Sequence, residues 1–298
     1  MAEAPEHKAG FISLVGKPNV GKSTLMNALV GENLSIITSK AQTTRHRIQG
    51  IINGDDFQVV YSDTPGIIEP KYELHKSMMS YVESSLKDAD VILFVTDLYE
   101  KFNEEEVIKK LNRYQVPIIV LVNKIDLAKT QEDVEEKIEY WSKVIDNAHS
   151  VFPISALENF NLDKVFELII SLIPKHPPYY PKDELATRPE RFFVSEIIRE
   201  KIFLNYKKEI PYSCEVVVRE FKEQDKIIHI MADILVERKS QKGIIIGHQG
   251  NKLKTVGTQA RKDLEDFFQK QIFLQTYVKV EDDWRKKSKK LDELGYGQ

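Results

Sequence analysis

The sequence predicts an α/β domain with a mostly parallel six-stranded sheet, followed by a smaller α+β domain. Apolar runs alternate with amphipathic segments over the first 172 residues, which is typical of a parallel sheet with helices on both faces. A glycine-rich loop joins the first apolar run to the first helical segment. Beyond a proline-rich stretch the order becomes one helix, two consecutive strands, two helices and a strand, which indicates a separate domain.

Five apolar runs of the first domain are rich in Val and Ile and nearly free of charge, so we expect strands buried on both faces. These runs are residues 11–15, 57–62, 91–96, 118–122 and 151–154. Helical patterns are found at residues 24–30, 74–87, 103–114, 132–147 and 162–173. Residues 46–53 are joined to the second run by the hairpin turn Asn53-Gly54-Asp55, which predicts one antiparallel edge strand.

The domain boundary falls in residues 174–181, where four prolines end the last helix and favour an extended, semi-stiff linker. We therefore assign residues 1–173 to the first domain, 174–189 to the linker, and 190–298 to the second domain with its charged C-terminal tail. In the second domain we expect long helices at 190–207 and 251–270, and strands at 213–221, 226–237 and 272–280. Apolar residues alternate along the middle strand and recur at helical spacing in 251–270, which predicts one buried face on each.

Composition limits the class of protein. The chain has 298 residues, enough for about two domains. It has no apolar stretch near the roughly 18 residues of a membrane span and no apolar N-terminal signal core, so we expect a cytoplasmic protein.

The single cysteine, Cys214, cannot form an internal disulfide and is expected to be a small buried residue. Residues 1–180 hold 19 basic and 26 acidic residues, whereas residues 181–298 hold 24 and 20, so polyanion binding is expected in the second half.

Residues 16–23 fit the pattern of a phosphate-binding loop and lie between the first strand and the first helix, where such a loop is needed. Backbone N–H groups and the helix N-terminus are suited to phosphate oxygens. Lys22 is expected to reach the β- and γ-phosphates, and the Ser23 hydroxyl to ligate Mg²⁺. The predicted phosphate-site residues are Gly16, Lys17, Pro18, Asn19, Val20, Gly21, Lys22, Ser23 and Thr24.

A second motif, Asn-Lys-Ile-Asp at the end of the 118–122 run, predicts which nucleotide base the site selects. Asp126 only accepts hydrogen bonds and therefore matches the N1 and exocyclic amine donors of guanine, a pair that adenine lacks. We expect Asn123 either to contact the other side of the base or to tie this loop to the phosphate-binding loop. A backbone N–H of residues 155–157 is expected to bond the guanine carbonyl. The predicted base-site residues are Asn123, Lys124, Asp126, Leu127, Ser155, Ala156 and Leu157.

Two further segments are expected to sense the γ-phosphate. One segment ends a strand and consists of Asp63, Thr64, Pro65 and Gly66. Asp63 suits a magnesium-bound water, and the Gly66 amide suits the γ-phosphate. In the polar segment 42–45, a threonine can ligate Mg²⁺ only while the γ-phosphate is present, so this loop should order on GTP and relax on GDP. We favour Thr44 over Thr43 because Thr44 stands next to Arg45.

These motifs, in this order and spacing, resemble the translation-factor class of GTPases and, more narrowly, its Era-like family. The resemblance implies a P-loop GTPase domain and Mg²⁺-dependent hydrolysis of GTP, with catalytic roles for Lys22, Thr44, Gly66 and Asn19. Ile67 stands where Ras-like enzymes carry a glutamine, and isoleucine cannot hydrogen-bond the attacking water. Relatives with an asparagine at the position of Asn19 recruit K⁺ beside the phosphates, so we expect turnover that potassium raises. The alternative is that Asn19 only braces the loop.

Residues 244–253 carry a Gly-x-x-Gly loop between an Ile-rich helical turn and a basic amphipathic helix. Residues 238–262 hold seven basic residues and no acidic one. Two glycines at this spacing let helices meet closely while backbone N–H groups face a nucleic-acid backbone. The element order resembles a type II KH domain, which implies RNA binding, and the alternative is a packing turn. The predicted RNA-binding residues are Lys242, Ile246, Gly247, His248, Gln249, Gly250, Asn251, Lys252 and Lys254.

The junction at 177–181 and the segments 188–192, 196–201 and 209–211 also resemble the Era-like family, so the resemblance covers nearly the whole chain. It implies a partner, the 3′ end of 16S rRNA, and a role in assembly of the 30S ribosomal subunit. The alternative function is a regulatory GTPase in peripheral contact with the inner face of the membrane, with RNA binding secondary. A metabolic GTPase with a scaffolding second domain and a binding module with structural GTP also stay open. The basic tail at 284–290 either meets phosphates or is a solvated charged helix, and nothing demands a dimer, so we expect a monomer.

Overall fold

The computed structural model describes residues 7–100 and 105–297. By their contacts these residues form two compact units. The first contains residues up to 35, 44–69 and 78–187, and the second contains 36–43, 70–77 and 188 onwards. The predicted linker thus groups mainly with the first unit, and two short segments from the first half of the chain group with the second. In the described part of the chain, every helix is too short or too polar to cross a bilayer.

Within the described residues, the first unit is built on a six-stranded sheet in the order β2-β3-β1-β4-β5-β6. Its strands are β1 (Lys8–Val15), β2 (Ile48–Asn53), β3 (Phe57–Asp63), β4 (Val91–Asp97), β5 (Ile118–Asn123) and β6 (Ala148–Pro153). β2 runs antiparallel to β3, and the other neighbours are parallel. The predicted parallel sheet with one antiparallel edge strand is confirmed. All six residues of β5 are buried, which explains its uninterrupted apolar sequence.

The helices of this unit are α1 (Lys22–Val30), α2 (Glu73–Asp88), α3 (Glu105–Leu111), α4 (Gln131–Val144) and α5 (Leu162–Leu172). The predicted start of α3 at residue 103 lies outside the described residues. Thr130 and Asp133 form a capping box that begins α4 by satisfying its first backbone N–H groups. The helix ends earlier than predicted because Ile145 is already extended. Trp141 of α4 is fully buried and packs edge-on against Phe94 of β4, with ring centres 5.2 Å apart.

The proline-rich segment after α5 lies along the edge strand β2 and is not a free spacer. The Ile51 amide donates to the Leu185 carbonyl at 2.9 Å. The Gln58 side chain accepts from the Tyr180 amide at 3.0 Å and donates to the Tyr180 carbonyl at 2.8 Å. Because an unpaired edge strand invites association with other chains, this segment protects the sheet as well as connecting the units.

Within the described residues, the second unit contains a three-stranded sheet in the order β7-β8-β9, with β7 antiparallel and β9 parallel to the central β8. Its elements are α6 (Glu190–Asn205), β7 (Glu215–Glu223), β8 (Ile227–Val236), α7 (Lys239–Ile246), α8 (Asn251–Phe268), β9 (Gln271–Val280) and α9 (Ser288–Glu293). The predicted order α-β-β-α-α-β is confirmed, and α9 comes from the tail. The core combines Cys214, the alternating residues of β8 and one stripe of α8: Ile228, Ile230, Ala232, Ile234, Val236, Val256, Ala260 and Leu264.

The charged tail is anchored to the second unit by an aromatic side chain. Trp284 is fully buried, and its indole N–H donates to the Ser213 carbonyl at 3.0 Å. The Arg285 guanidinium pairs with Glu237, and the Lys290 ammonium lies 3.1 Å from a carboxylate oxygen of Glu293. These pairs involve two of the five cations in residues 284–290. Lys286, Lys287 and Lys289 are exposed, so phosphate contact and a solvated charged helix both stay predictions for the tail.

Replacing Trp284 with alanine should destabilise the second unit by about 3–5 kcal/mol, because a large buried side chain is lost. Urea unfolding followed by circular dichroism measures the change in free energy of unfolding. The matched control is Lys289→Ala, an exposed change in the same tail, which should stay within about 0.5 kcal/mol of the wild type. Equal stability of Trp284→Ala and the wild type would contradict the anchoring role.

Candidate functional site

The phosphate-binding loop connects β1 to α1, so its backbone leads directly into a helix N-terminus. Gly21, immediately before α1, has a left-handed backbone with φ of 98°. A Cβ atom at this position would lie 2.3 Å from Nδ2 of Asn123, which excludes any side chain. Conformation and contact both require glycine here. The resulting turn presents the free N–H groups of the first turn of α1, as an anion site needs.

Lys22 is buried beside this loop. Its ammonium donates to the carbonyl oxygens of Gly16 at 3.1 Å and Lys17 at 2.7 Å. Burial lowers the pKa of Lys22 to about 8, and the negative charges of Asp63 and Glu100 oppose this change only in part. A polyphosphate bound at the loop would supply the counter-charge that the buried ammonium lacks.

Three oxygen-bearing side chains meet where β3 ends and α1 begins. Ser23 Oγ lies 2.7 Å from Asp63 Oδ2 and 2.9 Å from Thr44 Oγ1, and the Thr44 hydroxyl donates to Asp63 Oδ2 at 3.3 Å. Burial raises the pKa of Asp63, against the hydrogen bond from Ser23 and the charge of Lys22. Asp63 Oδ1 is buried and has no hydrogen-bond partner in the described part of the chain. An unsatisfied carboxylate oxygen beside two hydroxyls fits Mg²⁺ and its bound water.

The neighbouring threonines have other partners. Thr43 Oγ1 donates to the Lys40 carbonyl at 2.7 Å, so its hydroxyl is held within its own loop. Thr64 Oγ1 donates to the Leu14 carbonyl of β1 at 2.7 Å, so this predicted site residue braces the sheet edge. Of the two threonines considered for Mg²⁺, the structure therefore brings Thr44 to the oxygen cluster.

The segment that contains Gly66 lies against the phosphate-binding loop. The Ile67 amide donates to the Gly16 carbonyl at 2.9 Å. The Ile67 side chain packs against the hydrophobic core of the first unit, so it offers no polar group to a nucleophilic water. The remaining predicted residues of these two loops are at least partly buried: Pro18, Thr24 and Pro65.

Asn123, at the end of β5, ties two loops together. Its Nδ2 donates to the Val20 carbonyl at 2.8 Å, and its Oδ1 accepts from the Ala156 amide at 3.0 Å. Lys124 Nζ donates to the Asn19 carbonyl at 2.6 Å, so the motif holds the phosphate-binding loop at two successive residues. Of the two roles considered for Asn123, this structure shows the bond to the phosphate-binding loop.

Asp126 lies exposed in the 3₁₀ turn that follows β5. The Ser155 hydroxyl donates to Asp126 Oδ1 at 2.6 Å, which orients the carboxylate. Leu127 and Leu157 belong to the same two loops and are 58% and 71% exposed. Apolar surface of this kind beside one oriented polar group is typical of a site for a flat ring with polar edges.

Sequence reasoning missed Glu100, which lies beyond β4 next to the phosphate-binding loop. Its carboxylate accepts from the Thr96 hydroxyl at 2.9 Å and lies 3.8 Å from the Lys17 ammonium. Burial raises the pKa of Glu100, and Lys137 donates to its backbone carbonyl at 2.7 Å. The sequence feature that could have identified Glu100 is its position just after a parallel strand, at the edge of the sheet where α/β proteins bind ligands.

In the second unit, the Gly-x-x-Gly loop joins α7 to α8. Gly247 and Gly250 have φ of 70° and 79°, and Gln249 between them also has a positive φ of 50°. This succession of left-handed residues turns the chain sharply between the helices, and glycine adopts it at the lowest cost. His248 and Gln249 are exposed at the tip of the loop, where an RNA backbone can approach.

The predicted RNA-binding residues around this loop differ in exposure. Ile246 is half-buried and packs against the core, which fixes the end of α7. Lys252 Nζ lies 5.9 Å from the ring centre of Tyr206, whose hydroxyl donates to the Ile245 carbonyl at 2.6 Å. Lys242 is half-buried, whereas the other polar residues around the loop are exposed: Asn251, Lys252 and Lys254. The loop is thus a turn of positive-φ residues with exposed cations around it.

Comparison with known proteins assigns both units. The model for 50S ribosome-binding GTPases matches residues 11–124, and the model for KH domains matches residues 209–285. The fold is similar to the crystal structure of Era in complex with MgGDPNP and nucleotides 1506–1542 of 16S ribosomal RNA. It is equally similar to a tyrosine-to-alanine variant of Aquifex aeolicus Era bound to GDP.AlF4−. Each has a TM-score of 0.94 and 38% identity, over 98% of this chain and 100% of the other. The chain belongs to the Era family of GTPases.

Proposed function

We propose that this protein is a GTP-hydrolysing switch whose KH unit binds the 3′ end of 16S rRNA and assists assembly of the 30S subunit as a monomer. The observation that carries the proposal is the oxygen cluster of Ser23, Thr44 and Asp63 beside a buried lysine at a helix N-terminus. Ser23, Thr44 and a water on Asp63 would hold Mg²⁺. When bound, the ion neutralises charge on the β- and γ-phosphate oxygens.

Guanine selection rests on Asp126. Its carboxylate is oriented by Ser155 and only accepts hydrogen bonds, so it pairs with the N1 and amine donors of guanine. Asn123 hydrogen-bonds the phosphate-binding loop and so fixes its position relative to the loop that carries Asp126. The groups proposed to bind the base and the phosphates are therefore held at a constant separation. Adenine would leave the carboxylate without partners, which is the physical basis of discrimination.

The Asp126→Asn variant should lose GTP affinity by at least about tenfold and gain affinity for xanthosine triphosphate, because an amide reverses one hydrogen-bond polarity. Fluorescence competition with both nucleotides measures the two constants. Asp163→Asn, an exposed change in the first turn of α5, is the matched control and should bind GTP as the wild type does. Undiminished preference for GTP in Asp126→Asn would reject the assigned role.

Each residue around the γ-phosphate has a different proposed role in hydrolysis. Lys22 would neutralise the phosphates, the Gly66 amide would bond the γ-phosphate, and Thr44 would complete the metal site. Ile67 packs into the core, so it does not orient the attacking water. We propose that Asn19, whose backbone is left-handed with φ of 67°, holds K⁺ beside the phosphates through its side chain.

Asn19→Gly isolates this side chain, because glycine keeps the left-handed backbone without strain. The wild type should hydrolyse GTP faster in potassium than in sodium buffer, and the variant should show equal rates in the two. Phosphate release at matched ionic strength measures the ratio. Equal wild-type rates in sodium and potassium would remove the potassium site, and an unchanged ratio in Asn19→Gly would assign the ion elsewhere.

RNA binding is proposed for the Gly-x-x-Gly loop of the KH unit. Its positive-φ turn and its exposed lysines match a site that clamps a nucleic-acid backbone. We choose the small-subunit rRNA over the 50S subunit named in the GTPase family model, because the Era structure that holds 16S RNA matches 98% of this chain. The membrane alternative is weaker because three cations of the tail, Arg285, Lys286 and Lys290, are paired with carboxylates.

Nucleotide state is proposed to reach the KH unit through residues 36–43, which group with that unit. Arg199 of α6 is fully buried, pairs with Glu196, and donates to the Thr43 carbonyl at 2.5 Å. The next residue, Thr44, carries a hydroxyl of the metal cluster. If Thr44 moves when the γ-phosphate is lost, the movement reaches the Thr43 carbonyl, which is hydrogen-bonded to Arg199 of α6.

Gly250→Asp should weaken binding of a 16S 3′-end oligonucleotide by at least about tenfold, because it adds an anion where phosphates approach. Nothing lies within 4 Å of a Cβ atom at Gly250, so a side chain meets no clash, and the strain of its φ of 79° is shared by Asp and Asn. Gly250→Asn has the same shape without the charge and should retain more affinity. Filter binding measures both variants, with GDP and with a non-hydrolysable GTP analogue.

Three outcomes decide the proposal. Unchanged GTP affinity in Gly250→Asp, together with lost RNA binding, supports two independent sites. Equal RNA affinity in both nucleotide states would reject the switch and favour a module in which GTP is structural. No binding of the 3′-end oligonucleotide in either state would leave only a GTPase with a scaffolding domain.

A further inference from the structure

The outer face of the second unit's sheet carries exposed aromatic rings. In β9, Phe273 and Tyr277 are 47% and 43% exposed, whereas Ile272 and Val278 are buried in the core. Successive strand residues point to opposite faces, so the two rings lie on the side away from the helices. Burying large aromatic side chains is favourable, and a sheet that presents two of them presents a binding surface.

Neighbouring strands add a second row of side chains to this face. His229 of β8 is paired with Phe273 in register, and their ring centres are 5.3 Å apart. The Arg219 guanidinium of β7 lies 5.8 Å from the ring centre of Tyr277. Rings and a guanidinium plane are the groups on which unpaired bases stack. The face therefore offers stacking positions from all three strands.

The charges of this face favour a polyanion. Asp233 is buried, with its carboxylate 3.2 Å from Arg219 and 2.6 Å from Lys279, so its charge is already compensated. Around the rings the charged side chains are the cations Arg219, Lys222 and Lys279 and the anions Asp233 and Glu220. Three positive and two negative charges leave a net charge of +1. A patch for a protein helix would be apolar and uncharged at its centre, whereas this one interleaves rings with cations.

We propose that this face binds unpaired nucleotides of an RNA strand by stacking, as a second site on the KH unit. The proposal rests on the RNA-binding function proposed above. Phe273 and Tyr277 are four residues apart, about 13 Å along the strand, so each ring takes its own base. Gln275 lies between them on the same face and offers a donor and an acceptor to a base edge.

This surface is separate from the Gly-x-x-Gly loop. Ile245 of α7 and Val256 of α8, on either side of that loop, are buried in the core beneath the inner face of the sheet. The loop therefore belongs to the helical layer and the rings belong to the opposite face. One strand of RNA can reach both only by passing around the unit, so the two sites are tested independently.

The test uses full-length protein carrying Phe273→Leu and Tyr277→Leu together. Leucine keeps apolar bulk on the strand but removes the π-faces, so a loss of binding reports stacking. Anisotropy with oligouridine of about ten nucleotides should show affinity weakened about tenfold or more. Ultraviolet cross-linking of the same oligonucleotide to the wild type should label the peptide that contains Phe273 and Tyr277.

Two controls separate stacking from loss of structure. Tyr277→Phe keeps the ring and should bind like the wild type. Tyr140→Leu removes a tyrosine of matched exposure, 42%, from the first unit and should also bind like the wild type. If the leucine pair unfolds in thermal melts, Lys279→Gln replaces it, with an expected decrease of about 0.7 in the salt slope.

The outcomes distinguish this inference from the proposed function. Unchanged oligouridine affinity in the leucine pair, with cross-links confined to residues 244–254, would overturn the second site and leave the first intact. Oligouridine binding that survives Gly250→Asp but disappears in the leucine pair would support the second site even if the loop site fails. Competition by a base-paired hairpin as strong as by single strands would reject stacking in favour of backbone charge alone.

Discussion

The nucleotide site depends on two charged groups that the protein has removed from water. Lys22 and Asp63 are both buried at the carboxyl edge of the six-stranded sheet, and burial shifts the pKa of each towards its neutral form. One oxygen of Asp63 has no hydrogen-bond partner among the described residues, and nearby carboxylates only partly oppose the effect of burial on Lys22. A metal ion and a polyphosphate are the ligands that complete both. The site thus presents buried charges that a magnesium ion and a polyphosphate would balance.

The parallel sheet brings the residues of this site together. Its strands end at one edge, so residues distant in sequence meet there without long loops. Ser23, Thr44 and Asp63 come from three elements, yet they form one hydrogen-bonded cluster. Asn123 hydrogen-bonds both the phosphate-binding loop and the loop at Ala156. The two loops proposed to contact the base and the phosphates are therefore directly connected.

The KH unit binds by a different principle. Its Gly-x-x-Gly loop turns through positive-φ residues and is flanked by exposed lysines, which suits a ribose-phosphate chain of any sequence. The outer face of its sheet, with rings between cations, suits bases instead of phosphates. A protein with both surfaces can hold a single strand by its backbone at one place and by its bases at another.

The sequence by itself determined the fold class, the presence of one antiparallel edge strand, the element order of the second domain, and the nucleotide and KH motifs, because period-2 and helical patterns and glycine spacing are local properties. Tertiary structure alone decided which threonine joins the oxygen cluster of Ser23 and Asp63, since Thr43 and Thr44 are chemically identical and only the path of the chain separates them. It also placed Glu100 beside the phosphate-binding loop, fixed the proline-rich segment to β2 and buried Trp284 of the charged tail. These contacts join residues far apart in sequence, and no local pattern encodes them.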